Sequence, residues 1–180
     1  MRFSYLFLVI AITLFSGCSG PKVVSTQASP GADMSKYKTY DFYKMSASGD
    51  TIPGKFAERS ELLKEAISTQ LNSKGLTRVT EKPDLLVNIG IVVKEEVQTR
   101  TTDIRDAPRY MGQRNYHWES EEKIVDIYRV GTATVEMVDA ATNALVWKSV
   151  VEDVIPDKDS KVPATIHEGM AEMFSKFPGK

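Results

Sequence analysis

The chain has 180 residues, 42% hydrophobic and 26% charged, the balance of an ordinary globular protein and a length that fits one domain. Its 23 basic and 24 acidic residues leave a formal net charge of −1, without the basic excess that nucleic-acid binding requires. Cys18 is the only cysteine, so no intramolecular disulfide can form, and the fold must rest on a packed core.

Met1-Arg2 supplies one positive charge, Phe3 to Phe15 is almost wholly apolar, and Ser16-Gly17-Cys18 follows. A short positive region, an apolar run and small residues before a cut describe a secretory leader. The apolar run is about 13 residues, too short for the roughly 20 that a spanning helix needs. Phe15-Ser16-Gly17-Cys18 resembles a bacterial lipobox. The resemblance implies removal of residues 1–17, acylation of Cys18, and a membrane partner reached through that lipid. Ser19 stands where an aspartate would signal inner-membrane retention, so the expected address is the outer membrane, facing the periplasm.

Residues 18–35 are rich in Ser, Gly, Pro and Ala and read as the lipidated cysteine with a flexible tether; residues 36–180 then form a single domain. Lys36–Lys44 (KYKTYDFYK) is aromatic and partly alternating, which predicts a strand. Thr51-Ile52-Pro53-Gly54 breaks the pattern. Lys55–Ser73 places Phe56, Leu63, Ile67 and Leu71 on one helical stripe beside Ala66, and Gly75 sits where a left-handed C-terminal residue belongs. Leu76–Val79 reads as a short strand. After the turn at Lys82-Pro83-Asp84, Leu85, Val87, Ile89, Ile91 and Val93 alternate as a long strand. Lys123–Val138 and Ala144–Val154 form a hairpin around Asp139–Asn143. Ser160 is placed to cap a last helix, with Pro163 in its first turn and Val162, Ile166, Met170, Met173, Phe174 and Phe177 on its buried stripe. The expected fold class is α+β: a two-layer sandwich, a mostly antiparallel sheet of about four to five strands with two helices on one face.

With those elements placed, the chain resembles the envelope lipoproteins grouped as domain of unknown function 4136. The matching stretches are YKTYDFY from Tyr37, LNSKGL from Leu71, KPDLLV around Asp84, Gly131–Val138 with the turn that follows, LVW at Leu145–Trp147, and the last helix closing on Phe177-Pro178. The resemblance runs from about Tyr37 to Pro178. It implies the α+β fold and the envelope address, and no activity.

Catalytic patterns are scarce. There is no Gly-x-Ser-x-Gly, no phosphate-binding loop and no Gly-x-Gly-x-x-Gly. His117 and His167 have no second histidine at ligand spacing, so no metal and no cofactor are expected. Glu95-Glu96 and Glu119, Glu121 and Glu122 are carboxylate clusters of the kind that surface loops carry. Trp147, Met170 and Met173 read as core. Val97–Glu122 stands apart as about 26 residues between two strands, long for an ordinary loop. Its Arg109, Tyr110, Arg114, Tyr116, His117 and Trp118 include the residue types enriched at interface hot spots. These residues form a candidate partner-contact loop; the opposing reading is a hairpin tip whose strands simply extend further.

The function expected from these signs is a non-catalytic binding or structural module of the envelope, with an envelope protein or cell-wall partner and no nucleic acid. The alternative is a carrier of a small apolar ligand between sheet and helices, which a cavity of about 300 Å³ or more would favour. A carboxylate-dependent hydrolase, the third reading, needs two carboxyl groups converging in a cleft.

Overall fold

A computed structural model describes residues 20–50, 54–103 and 120–178. The elements in chain order are β1 (Lys22–Ala28), β2 (Thr39–Gly49), α1 (Phe56–Ser73), β3 (Thr77–Arg78), β4 (Leu85–Thr101), β5 (Glu122–Asp139), β6 (Leu145–Ile155) and α2 (Val162–Ser175), with short 3-10 turns at Met34–Lys36 and Asp159–Lys161.

The alternation in β4 does what period-two patterning requires: Leu85, Val87 and Ile89 are buried, whereas Leu86, Asn88 and Gly90 are half-covered. Both helices lie on the buried side, and Ala66, Ile67 and Leu71 of α1 meet Met170, Met173 and Phe174 of α2 over the sheet in one core. Trp147 of β6 is its largest fully buried side chain, with ring centroids 5.1 Å from Phe174 and 5.0 Å from Phe177. Gly75, at φ 78°, ends α1 as expected: its N–H donates to Asn72 at 2.9 Å, and that of Leu76 donates to Leu71 at 3.0 Å.

Several expectations need correction. The sheet has six strands in the order β1-β6-β5-β4-β2-β3, not four or five, and it is mixed. The pairs β1–β6, β5–β6 and β4–β5 are antiparallel, but β2 pairs parallel with both β3 and β4. The cause is α1: a helix between two strands returns the chain to the end where it began, so the second strand runs parallel to the first.

The stretch read as a tether is built into the domain. Its residues Lys22–Ala28 are β1, an edge strand on β6, and Met34 is 4% exposed in the core. Strand β1 has almost no buried side chains, and so no hydrophobic period by which to recognise it. Backbone pairing holds it, helped by Thr26 Oγ1 at 2.8 Å from Ser149 Oγ and by Ser149 donating to the Ser25 carbonyl. On α1, Phe56 is 42% exposed and lies off the buried stripe; Ser60, 5% exposed, is buried in its place, its hydroxyl donating to the Phe56 carbonyl. Ser160 does not cap α2: it lies inside the preceding 3-10 turn, and Lys161 takes the cap position without a side-chain bond.

Two positions test the packing. Gly49 ends β2 at φ 85°, and a Cβ there would collide with the carbonyl oxygen of Val93, which accepts the Asp50 N–H at 2.8 Å. Gly49→Ala is expected to destabilise by at least about 2 kcal/mol, from strain plus a displaced strand end, measured by denaturant unfolding. Tyr40 is 0% exposed, and its hydroxyl has no hydrogen-bond partner among the described residues. Since an unmet buried hydroxyl costs stability, Tyr40→Phe should raise the unfolding free energy by roughly 1 kcal/mol; a clear loss would show that the hydroxyl is satisfied in solution.

Candidate functional site

Cys18, Arg109, Tyr110, Arg114, Tyr116, His117 and Trp118 lie outside the described residues. The structure does describe what leads into the last six. Strand β4 continues to Thr101 and β5 begins at Glu122, so both ends of the stretch read as a loop are strand, paired from Val97–Ile127 to Thr101–Glu122. Thr102 closes the described part: its N–H donates to the Glu121 carbonyl at 2.9 Å, and its Oγ1 accepts the Glu121 N–H at 2.9 Å.

Strand β6 ends at Ile155, opposite Arg129. From about that level β4 and β5 run on as a two-stranded arm, residues 94–101 and 122–129, whose side chains are almost all exposed. The pairing register assigns its faces. One continues the core side of the sheet and carries the Glu95–Arg129 ion pair, then Val97 opposite Ile127, then Thr99 opposite Ile124. Val97, Ile124 and Ile127 are 51%, 64% and 57% exposed. The other face carries Glu96, Gln98, Arg100, Lys123 and Asp126, with Tyr128 donating its hydroxyl to Glu96 at 2.9 Å. The arm is therefore amphipathic.

At the root of the arm, between the sheet and the first turns of both helices, is an apolar cavity of about 130 Å³. Ile91, Val93, Ala133 and Val151 form its floor, and Leu63, Ile166 and Met170 its roof. Lys55 and Arg59 stand at its edge and both pair with Asp159, the latter at 3.4 Å. Burial in its wall pushes the Asp153 carboxyl above the usual range, although the Val154 N–H bound to it acts the other way, and Glu168 adds to the rise. The volume falls well short of the roughly 300 Å³ at which small-molecule pockets begin.

Of the carboxylates noted in the sequence, Glu119 lies outside the described residues, and Glu95 and Glu96 do not converge. Glu95 and Glu96 point to opposite faces of the arm, one bound to Arg129 and the other to Tyr128. Trp147, Met170 and Met173 are core, as expected, and His167 is half-buried on α2. Among the described residues no group of three or more His, Cys, Asp or Glu side chains is arranged to hold a metal.

Some of the residues in the stretches that carry the family resemblance, Tyr37, Asp84 and Asp139 among them, meet at the end of the sheet opposite the arm. Asp84 accepts the backbone N–H groups of Lys38 and Thr39 at 2.8 and 2.9 Å, while its own N–H donates to Thr39 Oγ1 at 3.0 Å. This staples the start of β2 to the start of β4. Asp139 accepts the Tyr37 hydroxyl at 3.0 Å and the N–H groups of Ala141 and Thr142, closing the β5–β6 turn. Donors from Lys38 first, then Thr39, hold the Asp84 carboxyl below its ordinary value of 3.8. Thr142, then Tyr37 and Ala141, do the same for Asp139.

A lowered folded-state pKa contributes stability that is present above the unfolded value and lost as pH falls through the folded one. Asp84→Asn should therefore lower stability at neutral pH by on the order of 1 kcal/mol, the solvent-screened end of the range for hydrogen bonds to a charged group. The gap between variant and wild type should close as pH drops below 3.8. A gap independent of pH in urea titrations would contradict this account.

Among curated proteins nothing matches the sequence. Among solved structures the fold is similar to part of a PDZ domain protein from Parabacteroides distasonis (TM-score 0.55, 16% identity), covering 89% of this chain but 37% of that one. It is also similar to the PelC dodecamer from Paraburkholderia phytofirmans (TM-score 0.51, 14% identity), covering 89% of this chain and 99% of that one. A DUF4136 family protein from Bacteroides thetaiotaomicron gives a TM-score of 0.50 at 14% identity, covering 88% and 96% of the two chains. These likenesses concern the fold alone. Residues 24–179, from within β1 to beyond α2, match the family described as domain of unknown function DUF4136, and the chain belongs to that family.

Proposed function

We propose that this protein is a non-catalytic contact module of the bacterial envelope, held to a membrane by lipid on Cys18 and acting through its hairpin arm. The observation that carries this reading is the arm itself. Two strands leave the sheet together, bury no core, and expose three branched apolar side chains on one face. Isolated two-stranded ribbons are marginal in water, and exposed apolar patches raised on a rigid scaffold mark contact sites. Arg109, Tyr110, Arg114, Tyr116, His117 and Trp118 fall between the arm's two strands in sequence, which extends the same contact reading to them. No helix among the described residues is long and apolar enough to cross a membrane, so the acyl anchor carries the attachment in this reading. The cavity would hold a guest no larger than benzene, which disfavours the carrier alternative.

Two measurements test the proposal. In detergent phase separation the wild-type chain should follow the detergent and Cys18→Ser the water; a Cys18→Ser protein that stays with the detergent would remove the anchor. A photo-crosslinking residue at Ile127 in intact cells should give adducts on the protein, while one at Thr142, in the turn at the far end, should give few. Equal yields would rule out the arm as the contact surface.

A further inference from the structure

The start of β1 and the arm lie at the same end of the sheet. Strand β1 runs antiparallel to β6, with Lys22 opposite Glu152 and Ala28 opposite Trp147, so the chain enters the sheet at the end where β6 approaches the arm. Lys22 stands level with Thr132 and Val92, one position before the arm's root at Val93. Just before it, Pro21 rests on α2: a Cβ placed on Gly169 would stand 3.9 Å from that of Pro21. Gly169 itself lines the cavity at the root of the arm.

From these positions, and resting on the reading of Cys18 as the acylated residue, we infer that the apolar face of the arm, Val97, Ile124 and Ile127, lies on the lipid surface as a second, non-covalent membrane contact. Lys22 comes four positions after Cys18, and that link fully extended spans at most about 14 Å. The strand from Val92 to Thr101 continues for about 30 Å in the direction from which the chain arrives. The link is therefore shorter than the arm, and an acylated Cys18 draws the arm-bearing end of the domain onto the bilayer.

The arm's faces suit that position. Val97, Ile124 and Ile127 share one side, between the Glu95–Arg129 ion pair at the root and Glu122 at the outer end, with exposed Val125 at the bulge, and Glu96, Gln98, Arg100, Lys123 and Asp126 share the other. Apolar residues on one face and charges on the opposite one are what an element lying in the plane of a membrane interface needs. A protein groove would accept the same apolar residues, but only a lipid surface is placed there by the length of the link.

The test uses the full, processed protein in vesicles of phosphatidylethanolamine and phosphatidylglycerol doped with nitroxide-labelled lipid. Since Cys18 is the only cysteine, acylation leaves no thiol, and Ile127→Cys adds one for an environment-sensitive fluorophore. On vesicles the label at 127 should shift to the blue and be quenched at least two-fold more strongly than a label at Asp126→Cys on the charged face. Val97→Cys should repeat the result if Ile127→Cys folds poorly. Equal quenching at 126 and 127, or none at either, on protein that floats with the vesicles would overturn the inference and leave the arm to a protein partner. Failure of the anchor shows itself separately: the unsubstituted protein would take up the thiol label and would not float.

Discussion

The antiparallel pairing of β4 with β5 is the constraint on which the molecule depends. It runs unbroken in direction from Leu85 opposite Asp139 to Thr101 opposite Glu122, with one bulge between Gln98 and Thr99. Its lower half is the centre of the sheet and carries the core. Its upper half is the arm. Because one ladder makes both, the orientation of Val97 and Ile127 is set by the same register that buries Val87 opposite Met137. A slip of one residue would turn the core outward, so the faces of the arm are as firmly assigned as the core itself.

Around that ladder the strands are added by different means. On one side β6 and β1 are joined by backbone bonds and small polar contacts such as Thr26–Ser149. On the other, β2 is brought in parallel by α1 and clamped by the Asp84 carboxylate on the N–H groups of Lys38 and Thr39. The residues that mark the family are thus largely those that close the end of the sheet remote from the arm. Through Asp84 and Asp139 they hold the scaffold.

The division between packed body and exposed arm also explains the unequal visibility of the parts. The arm residues are exposed and alternate only weakly, and their meaning comes from where the body stops, a tertiary fact. The cavity is formed by Ile91 and Val93 from one strand and by Leu63, Ile166 and Met170 from two helices, residues whose sequence separation hides their neighbourhood.

Taken alone, the sequence determined both helices to within about two residues, the cores of β4, β5 and β6, the Gly75 helix stop and the α+β class, because each depends on the burial of a periodic apolar stripe or on a local turn preference. It also singled out the stretch around Arg109 to Trp118 and the strand that follows it, and left open whether the strands ran on into that stretch, as β4 does to Thr101. The parallel pairing of β2, the strand within Lys22–Ala28, the placing of Ser60 rather than Phe56 in the core, and the entry of β1 at the arm's end of the sheet were decided by tertiary structure only. The physical reason is common to them. An edge strand is held by backbone groups that every residue carries, and the end from which a chain emerges depends on strand order, neither of which leaves a mark on side-chain pattern.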